Sequence, residues 1–285
     1  VRPFGARLAE AMAAHGPLCV GIDPHVSLLD AWGLPDSPEG LRRFALTVME
    51  AVGGGVAAVK PQAAFFERHG SAGVAVLEEV VAAGRDTGTL VVMDAKRGDI
   101  GSTMGAYADA YLRDGSPLAA DALTVSPYLG FGSLAPAVDA ALATGRGLFV
   151  LALTSNPEGP AVQHARDASG VAVADRVARE AAAVNAAELG RAGGDLGSVG
   201  LVVGATTGDA AARLGVDLAA VRGPLLAPGV GAQGAGPAEL AGVFGAARSA
   251  VLASSSRGVL AAGPDVRALR DAARAAADAA GSALR

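Results

Sequence analysis

One cysteine, no long apolar run, few aromatic residues and no basic stretch set the first limits on this 285-residue chain. The single thiol, Cys19, excludes an intrachain disulfide and any cysteine-rich metal site, and its setting in "PLCVGID" suits a buried, reduced group. Apolar runs such as "GLFVLAL" and "GLVVG" fall far short of the roughly 18 residues a membrane span needs, so no membrane partner is expected. The N-terminal segment lacks a signal-peptide layout because Arg7 and Glu10 interrupt it, so a cytoplasmic location is expected. Net charge is a mild −5, and no lysine- or arginine-rich stripe alternates with aromatics, which removes electrostatic support for a nucleic-acid partner. His15, His25, His69 and His164 are scattered without the spacing of metal ligands, so no metal site is expected. Nucleophile-elbow, P-loop and dinucleotide-binding fingerprints are also missing.

What is present is an alternation. Eight short β-branched or apolar runs, at 17–23, 56–61, 89–94, 122–127, 147–153, 200–205, 224–229 and 250–256, are separated by alanine-rich stretches. Helices are expected over Leu41 to Val52, Ala72 to Asp86, Met104 to Arg113, Ala172 to Ala192 and Pro264 to Leu284, with Ser102 or Thr103 capping the third. Eight βα units in a chain of this length predict a single-domain α/β fold, a (β/α)8 TIM barrel spanning 1–285. The longest irregular insert, 154–170, is a candidate lid.

In such a barrel the chemistry sits at the C-terminal strand ends. Those ends here carry Asp23, Lys60, Asp94 with Lys96 and Asp99, Ser126, Thr154 with Ser155, Thr206, "PGVGAQG" and "SSSRG". Asp94 and Lys96 are two apart on a strand and share a face, Arg97 points away, and Asp99 lies on the following turn. Lys60, ending the neighbouring run, adds an opposite charge, so each buried charge can be paired. On spacing alone this cluster serves equally as a structural ion-pair network or as catalytic machinery. Glycine- and serine-rich turns after the seventh and eighth runs, with Arg257, favour a phosphate site.

Taken in order, "GIDP", "VKPQAAFFE", "DAKRGDIGST", "TSNP", "PGVGAQG" and "SSSRG" resemble the orotidine 5′-phosphate decarboxylase family, in its longer bacterial branch. The resemblance implies cofactor-free loss of CO2 from orotidine 5′-phosphate to give UMP, the last step of de novo pyrimidine nucleotide biosynthesis. It implies a catalytic set of Lys60, Asp94, Lys96 and Asp99, with Lys96 protonating C6 and Asp94 beside the substrate carboxylate. Asp23 and Lys60 would hold ribose hydroxyls, Ser155 the pyrimidine amide, Gln233 the base and phosphate, and Arg257 the phosphate. Pro228, Ser256 and Thr103 complete the implied substrate-binding set. A homodimer with shared active sites is also implied, Asp99 and Thr103 reaching into the partner's site. A metal-dependent sugar-phosphate decarboxylase on the same barrel would share the D-x-K-x-x-D spacing but want further acidic ligands where Lys60 stands. A non-catalytic barrel that binds a phosphate ligand would keep the charges as structure only.

Overall fold

A computed structural model describes residues 1–230 and 236–285. Eight parallel strands close on themselves in sequence order: β1 Leu18–Ile22, β2 Ala58–Pro61, β3 Leu90–Arg97, β4 Ala122–Val125, β5 Gly147–Leu153, β6 Val199–Val203, β7 Leu225–Pro228 and β8 Val251–Ser255. Each of the eight expected runs overlaps a strand, with β3 running three residues past its run and β6 starting one residue before its own, and the (β/α)8 barrel is the observed fold. The five expected helices form as Pro38–Val52, Gly70–Thr87, Gly101–Leu112, Val173–Ala192 and Val266–Ala283. Local chemistry explains their starts. Ser37 accepts from Gly40 N–H at 3.3 Å with Pro38 in the first turn, and Asp265 accepts from Ala268 N–H at 2.8 Å. The cap expected at Ser102 or Thr103 does not form: the helix starts at Gly101 after Ile100, with no side-chain cap, and both residues lie in its first turn.

Strand alternation divides the apolar residues into two groups. Outward positions, such as Val20, Val59, Val91, Leu123 and Val150, pack under the helices in one large cluster. Inward positions form a second, smaller cluster of Cys19, Ala58, Val92, Ala122, Phe149, Val202, Leu226 and Leu252. An N-terminal helix, Phe4–His15, plugs this inner core from below through Phe4 and Leu8, both fully buried. Phe4 meets Phe149 edge-on with ring centroids 6.0 Å apart. Gly147 makes that approach possible, since a Cβ there would lie 2.1 Å from the Phe4 ring.

The apolar filling stops halfway up. Above it the inward positions turn polar: Lys60, Asp94, Thr124 and Ser254 are all buried, among Leu151, Val202 and Pro228. The barrel is thus sealed by hydrophobic packing at its N-terminal end and charged at its C-terminal end. Phe4→Ala should cost about 3–5 kcal/mol of stability, read by urea unfolding, because it opens a cavity against a ring that cannot collapse inward. A loss under about 1 kcal/mol would mean the plug does not hold the inner core.

Candidate active site

A cavity of about 660 Å³ opens at the C-terminal end of the barrel. Its floor is one carboxylate with its donors. Asp94 Oδ2 accepts from Lys60 Nζ at 2.8 Å, and Asp94 Oδ1 accepts from Lys96 Nζ at 2.6 Å. The Thr124 hydroxyl donates to the same Oδ1 at 2.9 Å. Gln62, with its amide nitrogen turned toward the surrounding acceptors, donates to Asp94 Oδ2 at 2.9 Å and to the Asp94 carbonyl at 2.7 Å. Two ammoniums and two neutral donors therefore occupy both carboxylate oxygens.

Electrostatics follow from that coordination. Burial works to raise the Asp94 pKa, and the Lys60 and Lys96 ammoniums reverse it, holding the group down at about 2. Burial likewise works to lower the Lys60 pKa, but Asp94 and then Asp23 outweigh it and the ammonium is held above its usual range. Cys19 sits beneath this pair and is pushed up to about 12, first by burial, so it remains a neutral thiol. The two lysines differ in exposure: the Lys60 side chain is 9% exposed and that of Lys96 44%. One ammonium is fixed in the floor, and the other faces the cavity.

Backbone geometry aims Lys96. From Met93 to Arg97, four steps along β3 answer only two along β4, from Leu123 to Val125. The extra length is a bulge, and in it Lys96 adopts φ +47°, a left-handed conformation that costs a residue with a Cβ about 1–2 kcal/mol. Its N–H is taken by Thr124 Oγ1 at 2.9 Å. Arg97 emerges on the outer face, paired with Glu67, donating to Tyr111 Oη at 3.1 Å and lying over the Tyr107 and Tyr111 rings. The expectation that Arg97 points away from Asp94 and Lys96 agrees with this geometry. Much of "KPQAAFFE" is structural: Phe66 is fully buried, and Glu67 anchors Arg97.

The rim is less satisfied than the floor. Among the described residues, Asp23 Oδ1 and Ser256 Oγ are buried without a hydrogen-bond partner, and both residues line the cavity. Gly21 brings them together, since a Cβ there would lie 2.8 Å from Ser256 Cβ and 3.0 Å from Asp23 Oδ2. Such orphaned polar atoms at the edge of a cavity suit a hydroxylated or anionic ligand. Pro228, Ser155 and Arg257 also line the cavity, and Arg257 is exposed. Gln233 lies outside the described residues.

Two expected residues stand apart. Asp99 and Thr103 do not line their own chain's cavity; Asp99 Oδ1 accepts from Ile100 N–H at 2.8 Å, and Thr103 is exposed on the helix Gly101–Leu112. Within one chain, three of the four expected charged groups converge. In the insert, Thr154, Ser155 and Asn156 line the cavity. Gln163 braces it by accepting from Thr154 N–H at 2.9 Å and donating to Thr154 Oγ1 at 2.6 Å. Further along, Asp167 pairs with Arg176 and accepts from Ser169 and Val171 N–H groups. Sequence reasoning missed Thr124 and Gln62. Thr124 shares the inward face with Ala122, and Gln62 lies two residues after Lys60, so strand periodicity carries the signal for both. At the fourth strand Ser126 was expected on the rim, but Thr124 reaches the site and Ser126 does not line the cavity.

Comparison with known proteins bears on this geometry. Residues 16–272 match the family model described as "Orotidine 5'-phosphate decarboxylase / HUMPS family". The chain belongs to that family. An orotidine 5′-phosphate decarboxylase of Salinispora arenicola is 63% identical over 270 residues, covering 95% of this chain and 94% of the relative. One from Streptomyces coelicolor is 61% identical over 273 residues, covering 96% and 95%. A Streptomyces avermitilis protein, solved as a candidate orotidine 5′-phosphate decarboxylase, superposes with a TM-score of 0.93 at 60% identity, covering all of this chain and 96% of that one. Among the described residues of this family member, no three histidine, cysteine or acidic side chains come together as a metal site, and no helix is long and apolar enough to cross a membrane.

The depressed Asp94 pKa has a consequence for acid stability. Its ordinary value is 3.8 and its folded value about 2, so the ionised carboxylate contributes stability in full above pH 3.8, and that contribution disappears as pH falls through about 2. Carboxyl-resolved NMR titration should show no Asp94 midpoint above pH 3, and Asp94→Asn should flatten the stability profile across that acid window. A midpoint near 4 would mean the two ammoniums do not act on it.

Proposed function

We propose that the chain decarboxylates orotidine 5′-phosphate to UMP and CO2 without a cofactor, with Lys96 as the proton donor to C6. The observation that carries this reading is the carboxylate of Asp94 held between a buried ammonium and one that faces the cavity. Heterolysis of the bond from C6 to the carboxylate releases CO2 and leaves an electron pair at C6 with no adjacent carbonyl to delocalise it. Fixed positive charge is then the available stabiliser, and an ammonium preorganised by Asp94 needs no reorganisation as charge develops. The pair takes its proton from Lys96 Nζ, and Lys96 is reprotonated from solvent. Asp94 keeps Lys96 charged and aimed, and stands beside the substrate carboxylate.

Substrate binding follows the other wall. Asp23 Oδ1, without a partner among the described residues, and the Lys60 ammonium are assigned the ribose hydroxyls, and Ser155 the pyrimidine amide. Arg257 and Ser256, with Pro228 and the loop that carries Gln233, are assigned the phosphate end. Phosphate lies far from the bond that breaks, and its binding energy serves to close the site and exclude water.

The reading includes a homodimer with shared sites. It is supported by the outward position of Asp99 and by large apolar side chains on the loops leaving adjacent strands β3 and β4. There Ile100 is 61% exposed, Tyr128 77% and Leu129 53%. A patch of this kind beside a catalytic rim suits a second copy of the chain.

The test is UMP formation from orotidine 5′-phosphate in excess EDTA. Wild type should turn over undiminished, and Lys96→Ala should lose about 10³-fold or more in kcat with its fold retained. Equal rates for the two would remove the mechanism. Loss in EDTA with recovery on Mg2+ would point instead to metal-dependent sugar-phosphate chemistry. For the shared site, mixing inactive Asp99→Ala and Lys96→Ala chains should restore about one quarter of wild-type activity, since half of the dimers then carry one intact site. A mixture no more active than its components would refute the cross-subunit role of Asp99.

A further inference from the structure

Thr124 is 1% exposed, reaches no solvent and does not line the cavity, yet it touches both halves of the charged pair. Its single hydroxyl accepts from the Lys96 backbone N–H at 2.9 Å and donates to Asp94 Oδ1 at 2.9 Å. The directions are fixed by chemistry. A backbone N–H can only donate, an ionised carboxylate can only accept, and a hydroxyl has one proton to give and lone pairs to receive.

We infer that Thr124 is a positioning residue for the reaction, its hydroxyl locking the Lys96 backbone and the Asp94 carboxylate to β4 as one unit. This rests on the proposed decarboxylase reading for its catalytic consequence and on the bulge geometry for its structural one. In the bulge the ladder between β3 and β4 is broken from Met93 to Arg97, so the Lys96 N–H has lost the strand partner it would otherwise use. Thr124 supplies the replacement from within the barrel. Lys96 also holds a left-handed conformation that the surrounding structure must impose, and a bond to its own N–H is the most direct restraint. At the same time the hydroxyl fixes Oδ1, the oxygen that Lys96 Nζ approaches at 2.6 Å. One side chain therefore sets both the origin and the target of the Lys96 side chain.

The rest of β4 supports a specific use. Ala122, Leu123 and Val125 are apolar and buried, so a valine at 124 would satisfy the packing; the hydroxyl is the exceptional feature. Gln62, directly after β2, plays the corresponding part on Oδ2, and its two bonds both go to Asp94.

Thr124→Val and Thr124→Ser test this. The valine variant should lose about 10–100-fold in kcat, as small displacements of a catalytic group do, while KM and the dissociation constant for UMP change by less than about threefold. Serine keeps the hydroxyl and should restore most of kcat. Valine with kcat within about twofold of wild type, parallel loss of kcat and UMP affinity, or a serine variant as slow as the valine one would each overturn the inference. The serine comparison stands even where the valine variant folds poorly. A second readout is independent of turnover: amide hydrogen exchange at Lys96 should be slow in wild type and in Thr124→Ser, and accelerated in Thr124→Val relative to Leu123. Unchanged exchange in the valine variant would refute the lock. Failure of wild type to release UMP would instead refute the decarboxylase reading, with the exchange result still deciding the role of Thr124 as a lock.

Discussion

The structure depends on a carboxylate that would be unstable alone. Asp94 is buried at the end of a core strand, where an unpaired charge is costly, and it survives ionised because two ammoniums, a hydroxyl and an amide surround it. The dependence is mutual. Lys60 is as deeply buried as Asp94 and stays charged only because carboxylates face it. Removing Asp94 strips the buried Lys60 of its nearest counter-charge, and removing Lys60 strips Asp94 of its buried one, so the two charges stand or fall together inside the barrel that encloses them.

The architecture supplies what that network requires. Strand alternation delivers Lys60, Asp94 and Thr124 to the same interior space from three adjacent strands, and the apolar plug of Phe4 and Leu8 keeps water from reaching them from below. The bulge in β3 breaks the regular ladder at the one place where a side chain must reach upward into the cavity. On the far wall the demand is opposite: Asp23 Oδ1 and Ser256 Oγ have no partner among the described residues, and Gly21 yields the space between them. A floor whose carboxylate is saturated by donors thus stands opposite a rim whose polar atoms are open.

Legibility from sequence followed this physics. The fold was readable because eight short apolar runs and the alanine-rich helical stretches between them repeat, and Asp94, Lys96 and Lys60 were readable because ionisable groups at strand ends are exceptional. Arg97 could be set aside by period alone, and it lies over Tyr107 and Tyr111 on the outside. Thr124 was passed over because a threonine in "ALTV" looks like any β-former, and its value comes from a bulge in the neighbouring strand β3, distant in sequence, that no local pattern announces. Gln62 was quoted only as part of a motif. The N-terminal helix was missed because Phe4 and Leu8 contact residues such as Phe149 that are distant in sequence. Asp99 marks another limit: its place outside its own cavity depends on the turn geometry, not on the spacing D-x-K-x-x-D.

Asp94 keeps the buried Lys60 ammonium charged against its own desolvation. The most direct measurement is an NMR titration of the Lys60 Nζ resonance in selectively 15N-lysine-labelled wild type and Asp94→Asn. Lys60 should remain protonated above its ordinary value of 10.5 in wild type and titrate at lower pH in the variant, where burial is opposed chiefly by Asp23. An identical Lys60 titration in both proteins would contradict the account.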